Sequence, residues 1–432
     1  MTDRLLRQLD ASTCNFLAVK TVKDDLLKAG FVQLDMAAPD WDLRPDGRYF
    51  LTRNSSALFA FIMPHSAEAL PAFRIIAAHT DSPCFKIKPN AEIYGDGGVL
   101  SLNVEKYGGG ILYTWFDRPL SVSGRVMLRG EDALSPREVL VDLRRPVAFI
   151  PHLAIHFNRA VNEGNPLSVQ KDMLPVVGYF TPEQIAEQKA HGGAVRMMLA
   201  EHLGIKPEEV LEYELNLYPA EPAALAGMNN EYIQSGRIDD LSMCFAGLEA
   251  LLASADKPAP FTRVLALFDN EETGSGTKQG AHSPVLANIL MRLSGGMEGL
   301  APSIARSFMV SADNAHAWHP NYSNKYDPTN HPVMGGGPVI KINANCKYMT
   351  DARGAAVFAE LCREAEVPCQ YFVNHSDVAG GSTLGNILTG QLDIDGVDMG
   401  CPLWAMHSAR ETAAVADQAY TEKVFTHFFT AK

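Results

Sequence analysis

Cysteine is scarce and patternless here. Seven cysteines (Cys14, Cys84, Cys244, Cys346, Cys362, Cys369 and Cys401) are scattered over 432 residues with no C-x-x-C spacing. That excludes a disulfide framework and a thiolate zinc knuckle, and leads us to expect a reducing, cytoplasmic setting. Long apolar runs are missing too. None reaches the ~18–20 residues a membrane-spanning helix needs, and the opening MTDRLLRQLDAST has no apolar stretch of the secretory type. Positive charge is in short supply: 37 Lys and Arg stand against 50 Asp and Glu, a formal net charge of −13. Such a surface repels phosphate backbones and anionic bilayers, so neither nucleic acid nor membrane is an expected partner. No internal repeat or low-complexity tract occurs.

What is present is ordinary globular material, 47% hydrophobic and 20% charged, in a chain long enough for two or three domains at roughly 150 residues each. Residues 13–30 have helical apolar spacing ended by Gly30, and 57–63 and 73–78 read as buried strands. From Pro89 to Met228 glycine-rich turns separate short strand-like pieces, such as 111–116 and 120–128, with a helix over 182–203 that Gly192 and Gly193 interrupt. From Gly236 onward helices and strands alternate, which predicts a mixed, mainly parallel α/β sheet covered by helices. The expected division is one catalytic domain from residues 1–90 plus 232–432, with a β-rich domain, 91–231, inserted into it.

Several apolar strand candidates run into metal-type side chains. The segment 74–78 precedes His79-Thr-Asp81, 264–268 runs into Asp269-Asn-Glu271-Glu272, 308–312 ends at Asp313, and 404–406 ends at His407. Asp239 precedes another helix. Ligand sites of open α/β sheets lie beyond the carboxyl ends of the strands, so His79, Asp239, Glu272, Asp313 and His407 are expected at one sheet edge. Two imidazoles and three carboxylates suit a two-metal hydrolase using Zn2+, or Co2+ or Mn2+. Of the acidic pair, Glu272 can bind metal while Glu271 faces the attacking water as general base. Asp81 is placed to orient the His79 imidazole. The glycine-rich 274–280 lacks the ending of a phosphate loop, and His152-x-x-x-His156 lacks the glutamate of H-E-x-x-H.

The stretches AAHTDSPCFKIKP (77–89), WFDRPLSVSGRV (115–126), PHLAIHFNRAVNEG (151–164), GRIDDL (236–241), DNEETGSG (269–276), VSADNAHAWHPNY (310–322), GPVIKINANCKY (337–348) and AMHS (405–408) resemble, in order and over nearly the whole chain, the aspartyl aminopeptidases, dinuclear zinc exopeptidases of the MH clan. The resemblance implies an α/β peptidase fold with an inserted dimerisation domain and a tetrahedral dodecamer. It implies two zinc ions held by His79, Asp239, Glu272, Asp313 and His407, with Asp239 bridging, Glu271 as general base and Asp81 supporting it. His316, Lys341 and Tyr348, beside Glu271 and Asp313, would contact substrate. His156 would come from a neighbouring subunit to steady the developing oxyanion. The implied activity is removal of acidic N-terminal residues from peptides with a free N-terminus. A broad-specificity aminopeptidase, an N-acyl amino acid deacylase and a non-catalytic assembly protein of the same fold are the alternative readings.

Overall fold

The computed structural model describes residues 2–66 and 71–431. Two compact units emerge. One comprises Met1–Asp81, Ala223–Met406 and Glu411–Lys432; the other comprises Ser82–Pro222 with His407–Arg410.

The first unit is built on a nine-stranded sheet. Its strands lie side by side in the order Val32–Gln33, Arg48–Arg53, Ala57–Ile62, Thr262–Phe268, Phe73–His79, Phe308–Ala312, Asp395–Gly400, Val339–Ile342, Gln370–Val373. The central Thr262–Phe268 is parallel to Phe73–His79, which is parallel to Phe308–Ala312, which in turn is parallel to Asp395–Gly400. Central strands of a sheet covered on both faces read as continuous apolar runs, and every residue of Ala57–Ile62 and Thr262–Phe268 is buried.

Successive side chains of a strand point to opposite faces, and the core divides accordingly. Ile76, Ala78, Leu265 and Leu267 pack under helices Asn15–Lys28, Ile238–Ser254, Ala352–Glu364 and Val415–Phe428. Ile75, Ala77, Val264, Ala266 and Phe268 pack against helices Val285–Leu293 and Leu384–Leu388 on the other side. A second sheet of this unit runs Ala224–Ala226, Tyr232–Ser235, Glu411–Ala414, Pro402–Trp404, Ala315–His316.

The other unit is a six-stranded antiparallel sheet in which Val210–Pro219 pairs with Leu120–Leu128 on one side and Cys84–Tyr94 on the other. Helices Pro182–Ala190 and Ala194–Leu203 are separate, broken at Gly192 and Gly193, both at positive φ. Residues 111–116 are not a strand: Leu112–Trp115 forms a 3-10 turn. Helices Thr2–Ala11 and Met297–Ile304 and the strand Arg48–Arg53 were not expected from sequence.

Candidate metal centre

Three parallel strands of the main sheet finish at one edge. The register sets Phe268 beside His79 and Ser311 beside Ala77, so His79, the 269–272 turn and Asp313 leave the sheet together. Asp239 and Asp240 arrive from the start of helix Ile238–Ser254. Arg237 there is in the left-handed region, and the two aspartates, joined by a cis peptide, are not yet helical. The Asp239 N–H donates to Glu411 Oε2 at 3.0 Å, which orients this turn.

His79, Asp239, Asp240 and Asp313 are all buried, and each brings a ligand-type atom within 4.8 Å of the others. His79 Nε2 is 3.8 Å from Asp239 Oδ1. Glu272 also offers an oxygen within 4.8 Å of Asp239. Asp240 accepts the His79 backbone N–H at 3.1 Å through Oδ2, while its buried Oδ1 accepts no hydrogen bond among the described residues. Burial first, then the charges of Asp313 and Asp239, raise the Asp240 carboxyl well above the usual range. Buried carboxylates crowded to this degree are strongly unfavourable without a compensating cation. The mixed nitrogen and oxygen donor set therefore fits a divalent metal of the zinc type.

Asp81 is the keystone of the adjoining turn. Its two carboxylate oxygens accept the N–H groups of Glu271 and Glu272, both at 3.1 Å. Its carbonyl lies 3.0 Å from His79 Nδ1, which fixes that ring so that Nε2 faces the cluster. Asn270 holds the turn from the other side. It adopts φ 63°, and its side-chain oxygen accepts from Thr277 and Gln279 at 2.8 Å each. The glycine-rich segment thus folds back on Asn270. Burial, together with Asp313, Glu272 and Asp81 and against the opposing pull of His79, pushes the Glu271 carboxyl up to about 8.

Lys341 is buried on the interior strand Val339–Ile342, between Asp395–Gly400 and Gln370–Val373. Its ammonium donates to Asp313 Oδ1 at 3.2 Å and lies 5.7 Å from the centre of the Tyr348 ring. Burial opposes its charge most strongly, but Asp313, Tyr348, Asp398 and Asp239 together outweigh it and raise its pKa. Tyr348 is buried with Ala315, Val339 and Phe372, and the exposed His316 sets its ring edge-on against Phe372 at 5.8 Å.

His407 does not follow a strand of the main sheet, as the sequence suggested. It comes just after Pro402–Trp404 of the five-stranded sheet, stands at φ 68°, and groups with the other unit, its Nδ1 lying 3.2 Å from Gly109 O. His156, in that same unit, is exposed in a turn. Asp240 was passed over for Asp239 in the sequence reading, and Glu411 was not singled out at all. The doubled Asp239-Asp240 was the one visible sign of the former; nothing marked the latter.

A buried histidine–carboxylate cluster at the carboxyl edge of a mainly parallel sheet is the architecture of a metallohydrolase. A family model described as "Aminopeptidase I zinc metalloprotease (M18)" matches residues 8–429, and the chain belongs to that family. A Clostridium novyi (strain NT) protein named "Probable M18 family aminopeptidase 2" is 44% identical over 431 residues, covering 99% of this chain and 98% of that protein. Among solved structures, the one titled "Cryo-EM structure of the Ape4 and Nbr1 complex" is 35% identical with a TM-score of 0.95, over 99% of this chain and 85% of that one. The S. cerevisiae mApe1 dodecamer is 25% identical with a TM-score of 0.86, over 99% and 96% of the two chains.

Proposed function

We propose that the protein is an aminopeptidase that removes acidic N-terminal residues from peptides, using two divalent cations, most simply Zn2+. The single observation that carries this reading is the buried cluster of His79, Asp239, Asp240 and Asp313 beside the Glu271–Glu272 turn, in a chain of the M18 family. His79, Asp239, Glu272, Asp313 and His407 are the residues that would hold them. When bound, the two cations would acidify the attacking water and polarise the scissile carbonyl.

The remaining steps belong to the protein. Glu271 takes the proton of the attacking water and passes it to the leaving amine. Asp81 holds the backbone of Glu271 and Glu272 so that their side chains diverge. Lys341, with Tyr348 and His316, attracts the side-chain carboxylate of the substrate's first residue. This lysine shares one hydrogen bond with Asp313, and its other N–H groups are the ones available to substrate. His156 comes from a second copy of the chain and donates to the oxyanion, as one preorganised donor among several. Exposed Leu153, Ile155 and Phe157 flank His156, and an apolar patch of this kind favours association with another copy. We extend the reading to the dodecamer named for the yeast relative, with residues 82–222 as the dimerising unit. The free state of all seven cysteines supports a reducing, cytoplasmic setting.

The test is a panel of Asp-, Glu-, Leu-, Ala- and Lys-anilides with protein stripped by chelator and reloaded with zinc. Release from Asp and Glu substrates only after reloading, with two zinc ions per chain by mass spectrometry, is the expected result. Fast release from Leu or Ala would leave a broad aminopeptidase. Activity confined to N-acyl amino acids would make it a deacylase, and silence on every substrate with metal bound would leave a non-catalytic assembly protein.

A further inference from the structure

Behind Lys341 lies a second buried carboxylate to which no role has been given above. Asp398 sits on the strand Asp395–Gly400, completely shielded from solvent. The antiparallel register pairs Val339 with Gly400 and Ile340 with Met399, so the next step along the strands sets Lys341 opposite Asp398. Directly opposed residues of a pair share a sheet face, and their side chains interact. The charge of Asp398 is one of those that favour the Lys341 ammonium, after that of Asp313.

The Asp398 carboxylate also ties down two loops. Oδ2 accepts the backbone N–H of Met349 at 2.6 Å, directly after Tyr348. Oδ1 accepts the Thr383 hydroxyl at 2.6 Å, at the start of helix Leu384–Leu388. The Asp398 N–H donates to Thr350 Oγ1 at 2.8 Å, a second tie to the loop that carries Tyr348. Gly385 closes over the carboxylate so tightly that a Cβ there would fall 2.4 Å from Oδ2. A buried carboxylate is costly unless it is matched by donors and charge. The donors found here come from the segment carrying Tyr348 and from the 383–388 helix start, and the facing charge is Lys341.

We propose that Asp398 is a positioning residue for substrate selection: it holds Lys341 and Tyr348 in the geometry that accepts the first residue of the peptide, without touching substrate or metal. The inference rests on the reading of Lys341 and Tyr348 as substrate contacts.

Asp398→Asn keeps the shape but presents a donor to one of the two groups now donating. Losing a hydrogen bond to a charged group predicts about a ten- to hundredfold rise in KM for Asp- and Glu-anilides, with kcat and the zinc content held. Amide exchange at Met349, read by NMR or mass spectrometry, accelerates in the same variant. Thr383→Val, which leaves the carboxylate in place, raises KM to a smaller extent, and Thr383→Ser restores it by returning the hydroxyl. This pair keeps the proposal testable should Asp398→Asn fail to fold. An equal fall in kcat on every substrate, or no difference between the valine and serine variants, would overturn the role. Unchanged exchange at Met349 in a folded Asp398→Asn would overturn it as well, independently of substrate. If the wild type has no acidic preference, the Lys341 pocket reading fails by itself; Asp398 then stands or falls on the Met349 exchange and on KM for whichever anilide is cleaved.

Discussion

Asp81 meets two consecutive backbone N–H groups with its two oxygens, and no other residue type offers that pair of acceptors at that reach. Asparagine would turn an N–H toward one of them. Asp81→Asn is therefore expected to cost about 10- to 100-fold in kcat, the usual scale for a residue that supports metal ligands from behind, as proposed for Asp81, with a circular dichroism spectrum like the wild type. Glu271→Ala goes further. Loss of the proposed general base predicts a fall in kcat of about 100- to 10,000-fold with zinc content unchanged, checked by steady-state kinetics beside metal analysis. A Glu271→Ala protein that lost its zinc would reassign the residue from base to ligand. Lys341 shows how a residue's identity is visible while its setting is not. The run Val-Ile-Lys-Ile reads as a strand with a lysine in it, and whether that strand is an edge or an interior one depends on partners hundreds of residues away.

At the level of elements, helix Ile238–Ser254 lies so close to the sheet that a Cβ on Gly247 would come 2.6 Å from Leu265 Cδ1 and 3.3 Å from Ile76 Cγ2. Alanine ordinarily favours a helix over glycine by ~1 kcal/mol, but here it overpacks a buried contact. Gly247→Ala should lower stability by about 1–2 kcal/mol in a urea titration. Helix Val415–Phe428 contributes a pH effect. Its buried Asp417 accepts the N–H groups of Gly335 and Gly337, yet burial still raises its carboxyl to about 6. The folded value exceeds the unfolded one of ~3.9, so the group's stabilising contribution is complete below about pH 4 and is lost as pH rises through about 6. Relative to Asp417→Asn, the wild type should lose about 1–3 kcal/mol between pH 4 and pH 7.5, read by denaturant titration at each pH.

The apolar strands and the helices between them were legible because period and burial coincide, as in Thr262–Phe268. The His79, Glu272 and Asp313 positions were legible because each follows such a strand. Glu411 and Asp398 were not, since a single carboxylate inside or beside an apolar element has no period, and Asp240 showed only as a second acid beside Asp239. His407 was placed after a strand of the wrong sheet, because a strand's sequence does not say which neighbours it joins. The 111–116 stretch read as a strand from its apolar content and instead makes a turn.

For the molecule as a whole, chelation removes the charge that would balance the buried carboxylates, so stripped protein should melt several degrees lower by calorimetry and recover on zinc addition. Phe157, the most exposed of the apolar residues flanking His156, is the position at which a charge most directly opposes association. Phe157→Glu should shift the mass seen by light scattering toward smaller species and lower activity together with it, and a full-sized, fully active variant would remove this patch from the interface. The strand order has a further consequence, in time rather than space. Phe73–His79 has Thr262–Phe268 and Phe308–Ala312 as its neighbours, so neither partner exists when it leaves the ribosome. At about 5–20 residues per second, the intervening stretch of roughly 180 residues takes about 10–40 s to synthesise. Throughout that interval an apolar strand with two open edges waits in the nascent chain, a substrate for chaperones long before the finished protein is itself an enzyme.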